Sequence, residues 1–317
     1  MGGTPANRTI LVTQPTLSPF DFVAGFSSDT LPISGRIVRM GPQSLSPILR
    51  RHAYPDHLGE ILGEGLILAT LVGAGMKFEG RVMTQAEGDG PVSMLVGDYR
   101  SDGSVRAYAK FEQERWAYLE KVNRGEKPHM PQLFGPQGAL ALILMEDRVG
   151  AQPYQGVVPL MKGSLADCAQ DYFRDSQQVD TCLALSVRRD LAGDWHGGGL
   201  MIQRIAADEA RGETREGWRE AQALFQTLTP EELTSETLPA QDLLFRLFHE
   251  GGVRMEDPKA LEDRCTCNEA RLRDTLTGMP DESLREMVEP DGMLKIDCQF
   301  CARHYDIPID AVTGATN

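Results

Sequence analysis

The chain has 317 residues, 41% of them hydrophobic, with 32 basic against 46 acidic side chains and a net charge of −14. That length supports one large or two smaller cores without disulfide staples. The acidic balance repels phosphate backbones and anionic lipid, which disfavours sequence-independent binding to nucleic acid or a membrane surface.

Residues 1–30 are rich in Thr, Pro, Ser and Gly without sustained periodicity and read as a mobile tail. The opening "MGGTPANRTILVTQPTLSP" lacks the basic segment and apolar run of a secretory signal, and Ala6 breaks the myristoylation pattern. From Gly35, "GRIVRM" alternates as a strand, and "SLSPILRRH" reads as a short helix with Ser44 or Ser46 as cap before Pro47. "YPDHLGEILGEGLILATLVGAGM" supplies a long helix with an apolar, small-residue face. Its most apolar window, Ile61–Phe78, carries Glu64, several glycines and Lys77. A bilayer span needs about 20 clean apolar residues, so a buried core helix is expected.

"GRVMTQAEGDGPVSMLVGDYRSDGSVRAYAKF" reads as three strands in an antiparallel meander, with turns at Gly88–Pro91 and Ser101–Gly103. Further strands are expected at "GALALILMEDR" and "TCLALSVRRD", with "YQGVVPL" between them, and at "GGGLMIQRIAA". "SLADCAQDYFRDSQQ" reads as a helix, because Leu165, Cys168, Ala169 and Tyr172 share one face. The fold class is α+β, with an antiparallel sheet and packed helices in a core domain over residues 31–211.

Composition then shifts to helix formers and acids. Residues 212–264 read as short helices resting on the core, with Leu243, Leu244, Leu247 and Phe248 as an apolar stripe. Helices this short gain little stability on their own, so a docked, releasable linker is expected.

Four of six cysteines crowd into residues 265–317 as Cys265-x-Cys267 and Cys298-x-x-Cys301. This is not the scattered framework of a secreted mini-protein, so a reducing, cytoplasmic setting is expected. Four thiolates in two close pairs suit one tetrahedral zinc ion. The segment between the pairs reads as helix, turn, helix, hairpin: Gly278 and Pro280 break the first helix, Asp281 caps the second, and "PDG" turns into "MLKI". Such a unit has little core of its own, so zinc, worth roughly 10–16 kcal/mol in small fingers, is expected to supply most of its stability. Zinc-bound thiolates also attract oxidants, and the Cys265–Cys267 spacing permits a strained, readily reduced disulfide. A reversible switch follows, in which oxidation forms local disulfides, ejects zinc and melts the C-terminal unit.

From Pro32 onward the sequence resembles the heat shock protein 33 family of redox-regulated bacterial chaperones. The resemblance rests on "RCTC" and "DCQFC" followed by "HY", with "HAYP", "MKFEG", "QAEGDGP", "YQGVV", "DYFRDSQQ" and "LLFRLFHE". Residues 1–30 and Cys182 depart from the pattern without touching the cysteine motif. The resemblance implies a reduced, zinc-bound, inactive form. On oxidation, disulfides Cys265–Cys267 and Cys298–Cys301 form, the linker loses structure, and a homodimer holds unfolding client proteins without ATP. It leaves Cys265, Cys267, Cys298 and Cys301 as both metal ligands and redox centres, and makes Leu243, Leu244, Leu247 and Phe248 candidates for client contact.

Catalytic machinery is otherwise absent from the sequence. "DWHGGGL" places His196 beside three glycines, but without a phosphate-binding motif it reads as a strand-connecting turn. His52 and His57, with Pro55 between them, are a poor metal pair. His304 reads as a packing or supporting residue beside the cysteines, and Cys168 and Cys182 as buried, inert thiols. Two other readings remain open. A thiol-disulfide oxidoreductase could use "CQFC" directly, although no thioredoxin-like βαβ unit is visible. A zinc-stabilised nucleic-acid binder would need a basic face that residues 265–317 lack.

Overall fold

The structure is a computed structural model and describes residues 19–77, 79–206 and 214–313. In chain order the core comprises β1 (Phe22–Ser28), β2 (Ile33–Met40), α1 (Ser46–Arg51), α2 (Asp56–Gly73), β3 (Gly80–Glu87), β4 (Val92–Arg100), β5 (Ser104–Phe111) and α3 (Gln113–Asn123). It continues through α4 (Met130–Phe134), β6 (Ala139–Glu146), β7 (Tyr154–Pro159), α5 (Leu165–Asp175), β8 (Thr181–Arg189) and β9 (Trp195–Arg204). The connecting segment holds α6 (Arg215–Phe225), α7 (Pro230–Leu233), α8 (Ala240–Phe248), β10 (Val253–Met255), β11 (Lys259–Ala260) and β12 (Glu262–Asp263). A C-terminal module follows, with α9 (Glu269–Thr277), α10 (Asp281–Met287), β13 (Met293–Asp297) and β14 (His304–Pro308).

The strands form two large sheets, β10-β1-β2-β9-β8 with β11 also on β1, and β12-β5-β4-β3-β6-β7, plus the β13–β14 hairpin. The expected meander is β3-β4-β5, with antiparallel pairing throughout. Helix α2 lies between the sheets and packs on both, so it is buried almost all round. That explains why its sequence is apolar on more than one face. Leu58, Leu62, Leu66, Ile67 and Leu71 are at the centre of the main core.

The glycines of "DWHGGGL" serve packing. A Cβ on Gly199 would sit 2.4 Å from the Ile67 side chain of α2, whereas one on Gly198 would sit 2.1 Å from the Leu233 carbonyl oxygen of α7. Strand β9 therefore admits α2 closely on one face and the connecting segment on the other. On that second face Phe22, Phe26, Ile37 and Leu200 form a separate core with Trp218, Leu243, Leu244, Leu247 and Phe248.

A polar seam completes this docking. Arg39 of β2 is fully buried and donates to the carbonyl oxygens of Ser235 (2.6 Å), Glu232 (2.8 Å) and Leu238 (3.3 Å). Burial pulls its guanidinium down to about 10, because water no longer solvates the charge. Arg188 adds bonds to the Thr234 carbonyl oxygen and the Glu236 carboxylate.

Several local expectations are corrected. Strand β1 lies inside the stretch read as a tail, of which residues 1–18 fall outside the described residues. Phe22, Ala24 and Phe26 turn to the second core while Val23 enters the main one, so the strand is apolar on both faces and shows no simple alternation. Asp21, also in that stretch, accepts the backbone N–H groups of Gly41, Gln43 and Ser44.

The connecting segment is not helical throughout. Strands β10 and β11 add to β1, and β12 pairs parallel with β5, because both sheets present open edges there. Neither Ser44 nor Ser46 caps α1, whose N-cap is Leu45. Ser44 donates to Asp21 instead, and the Ser46 hydroxyl accepts the Trp195 N–H. Asp281 occupies the first turn of α10 behind Pro280 rather than the cap.

Replacing Gly198 with Ala drives a methyl group into the Leu233 carbonyl. We expect the docked segment to lose about 1–3 kcal/mol, read as faster limited proteolysis between residues 214 and 263 of the reduced protein. Hydrogen exchange in β3–β5 should stay unchanged.

Candidate thiol and metal centre

The backbone delivers the two cysteine pairs to one place from opposite sides. On one side β12 extends the β5 edge, and its continuation is fixed by the Arg264 N–H donating to the Val105 carbonyl oxygen at 3.2 Å. Cys265 and Cys267 follow at once, before Asn268 caps α9 by accepting the Arg271 N–H. On the other side the turn between β13 and β14 carries Cys298 and Cys301. It is closed by the Cys298 N–H on the Arg303 carbonyl oxygen (2.9 Å) and the Ala302 N–H on the Cys298 carbonyl oxygen (2.7 Å).

All four Sγ atoms lie within 4.8 Å of one another. Cys265 is 3.8 Å from Cys298, and Cys267 is 3.3 Å from Cys301. A tetrahedral zinc ion with Zn–S near 2.3 Å requires sulfurs about 3.8 Å apart, so the donor set and its spacing fit that metal. Among the described residues the surrounding module buries Leu276, Leu284, Leu294, Ile307 and Val312, which is a small core for a freestanding unit.

Two side chains donate to the sulfurs. The Tyr305 hydroxyl reaches Cys267 Sγ at 3.2 Å, and Arg106 Nη1 reaches Cys265 Sγ at 3.6 Å. As a bare thiol Cys267 is lowered to about 7: burial opposes ionisation, but bonds from Tyr305 and the neighbouring sulfurs outweigh it. Burial raises both members of the other pair, Cys301 to about 12. Without a metal, Cys267 is therefore the more readily ionised when set against Cys298 and Cys301.

The remaining residues read from sequence fall elsewhere. His304 bridges Asp297 (2.7 Å) and Asp306 (3.1 Å), so it braces the hairpin beside Cys298 rather than joining the sulfurs. His52 sits between the rings of Tyr54 and Tyr108, and His57 bonds Glu60 and the Gly125 carbonyl. Burial raises both remaining thiols, Cys182 to about 11. His196 pairs with Asp190 at 3.0 Å under the connecting segment. Leu243, Leu244, Leu247 and Phe248 are all covered by the outer face of β1-β2-β9. Arg106 went unread, since it is 159 residues from Cys265 and no local pattern joins them.

An α+β core, a connecting segment docked on its sheet and a four-cysteine module define a metal-competent thiol protein. The family model described as Hsp33 protein matches residues 21–308. The 33 kDa chaperonin of Caulobacter vibrioides is 40% identical over 291 residues, covering 90% of this chain and 94% of its own length. The 33 kDa chaperonin of Neisseria gonorrhoeae is 33% identical over 294 residues, 93% of this chain and 91% of its own. The crystal structure of the 33 kDa chaperonin of Thermotoga maritima, a heat shock protein 33 homolog, matches with a TM-score of 0.73. It covers 92% of this chain and 96% of that one at 22% identity, which shows a common fold. The chain belongs to the Hsp33 family of chaperones.

Metal analysis of the reduced protein should return one equivalent of zinc per chain, and Cys298→Ser should fail to retain it. Stripping the metal with a strong chelator should abolish hydrogen-exchange protection in α9 and β13–β14. Protection in α2 should survive, since zinc of this kind contributes roughly 10–16 kcal/mol to its own module and nothing to the main core.

Proposed function

We propose that the protein is a cytoplasmic, redox-regulated holdase that binds unfolding proteins without ATP once its four cysteines are oxidised. The carrying observation is that the four sulfurs converge within 4.8 Å directly after the strand that returns the connecting segment to the core. In this reading residues 31–211 together with β1 form the client-holding core, 212–264 the responsive linker and 265–317 the switch. A zinc ion held by Cys265, Cys267, Cys298 and Cys301 would keep all four sulfurs deprotonated and tie the module together.

Oxidation then acts on the sulfurs. Cys265 joins Cys267 and Cys298 joins Cys301, so four thiolates surrender four electrons. Two molecules of peroxide accept them as their O–O bonds break, giving four hydroxides. No ligand remains for the metal, and the module, whose small core cannot stand alone, unfolds. Its loss removes the anchor that follows β12. The linker helices, held by docking rather than by their own length, then come away from the β1-β2-β9 face. Leu243, Leu244, Leu247 and Phe248 and the opposing Phe22, Phe26 and Ile37 become the surface offered to clients, with dimerisation of the active form limiting its exposure.

The distances favour one competing pairing, because the short contacts run between the pairs, Cys265 to Cys298 and Cys267 to Cys301. Cross-linked in that way, the module would keep its staple and the linker its anchor. Local pairing is the version that releases both.

Reduced and peroxide-treated protein should differ sharply in suppressing light scattering from a thermally unfolding client without ATP, with zinc appearing in a chromogenic chelator on the same timescale. Peptide mapping should find Cys265–Cys267 and Cys298–Cys301. Equal suppression by both forms would remove the switch, and cross-paired disulfides would remove the release mechanism.

A further inference from the structure

We propose that Arg106 sets the oxidation threshold of the cysteine centre from the core side, restraining Cys265 while it holds the reduced module against the sheet. This deepens the redox reading above and rests on it. Arg106 projects from β5 with three faces of its guanidinium engaged. Nε donates to Asp98 at 2.7 Å, Nη1 points at Cys265 Sγ at 3.6 Å, and the plane lies 4.2 Å from the centre of the Phe300 ring, within the Cys298–Cys301 turn. One side chain of the core thus touches both cysteine pairs, the first at a sulfur and the second through the ring between its cysteines.

The charge arrangement gives this contact its direction. Asp98 is 2% exposed and is shared by two arginines, with Arg81 also paired to it at 3.1 Å. Two guanidinium groups on one carboxylate leave a surplus positive charge, and Cys265 is the acceptor in front of it. A thiolate takes a charge-assisted bond from Arg106. A disulfide sulfur carries no charge and accepts weakly. The contact therefore exists in the reduced state and disappears when Cys265 bonds to Cys267, the step in which two thiolates pass two electrons to one peroxide. With Sγ already deprotonated by the metal, the bond cannot raise the thiolate fraction; it only draws electron density from the sulfur and so slows its attack on peroxide.

Arg51 supplies the comparison. It fastens the module equally firmly, donating to the Phe300 carbonyl oxygen at 2.7 Å and pairing with Asp263, but it touches no sulfur. Arg51 holds the module irrespective of sulfur chemistry, whereas Arg106 couples holding to that chemistry.

The test uses full-length, zinc-loaded, reduced protein as wild type, Arg106→Met, Arg106→Gln, Arg51→Met and Arg81→Met. Zinc release at a fixed peroxide concentration and tryptic cleavage between residues 214 and 263 are followed in parallel. Losing a charge-assisted bond predicts about a tenfold or greater rise in zinc release rate for Arg106→Met. Arg106→Gln, whose amide can still bond Asp98, should show the same rise if the methionine variant folds poorly. Arg51→Met should speed cleavage with release within about twofold of wild type, and Arg81→Met, which removes the surplus charge but keeps the sulfur contact, should raise release by less than either Arg106 variant. Wild-type release rates in both Arg106 variants, or equal acceleration in Arg51→Met, would overturn the proposal. Failure of wild type itself to release zinc or gain holding activity would instead strike the underlying redox reading.

Discussion

The sheet β10-β1-β2-β9-β8 is apolar on both faces, and α2 can fill only one of them. Water on the other face would meet Phe22, Phe26, Ile33, Ile37, Leu200 and Ile202 together, far more contiguous apolar surface than a soluble chain normally leaves open. The chain's own answer is the segment after β9. Its helices present Trp218, Leu243, Leu244, Leu247 and Phe248 to that face, so a single cover hides two complementary apolar surfaces at once.

The cover is held by means that do not make it permanent. Helices α6, α7 and α8 have 11, 4 and 9 residues, lengths that are marginal in water without a docking partner. Between α7 and α8 the fastening is polar: a buried cation, Arg39, whose two terminal nitrogens donate to three carbonyl groups at the expense of its hydration. At the far end short strands stitch the segment into the edges of both sheets, and β12 leads straight to Cys265. The C-terminal module follows directly from that last strand.

The module itself has only a small apolar core. Leu276, Leu284, Leu294, Ile307 and Val312, the buried apolar side chains among its described residues, are few to set against the conformational entropy of a unit running from residue 265 to 313. The junction to the core is rich in arginine: Arg51, Arg106 and Arg264 reach across to Asp263, Cys265, Phe300 and Asp102, and the Tyr108 ring lies beside that of Phe300. In a protein with net charge −14, this local concentration of guanidinium groups is the place that suits an anionic thiolate centre.

Much of this organisation is local and was legible in the sequence. The apolar period of α2, the turn residues of the β3-β4-β5 meander, the stripe of α8 and the spacing of the cysteine pairs each act within a few residues, where propensity and pattern decide. Strand β1 escaped because a strand buried on both faces loses its alternation, and β10–β12 because two- and three-residue strands are created by the edge they join. The same limit hides Arg39 and Arg106. Each is an ordinary arginine in an alternating strand, and only the fold places carbonyl groups over one and a sulfur before the other. Sequence by itself fixed which atoms could bind a metal and form disulfides, since ligand chemistry resides in residue type and short spacing. Tertiary structure alone decided what those sulfurs touch and what the segment beside them covers, since contacts across 159 residues follow from chain topology.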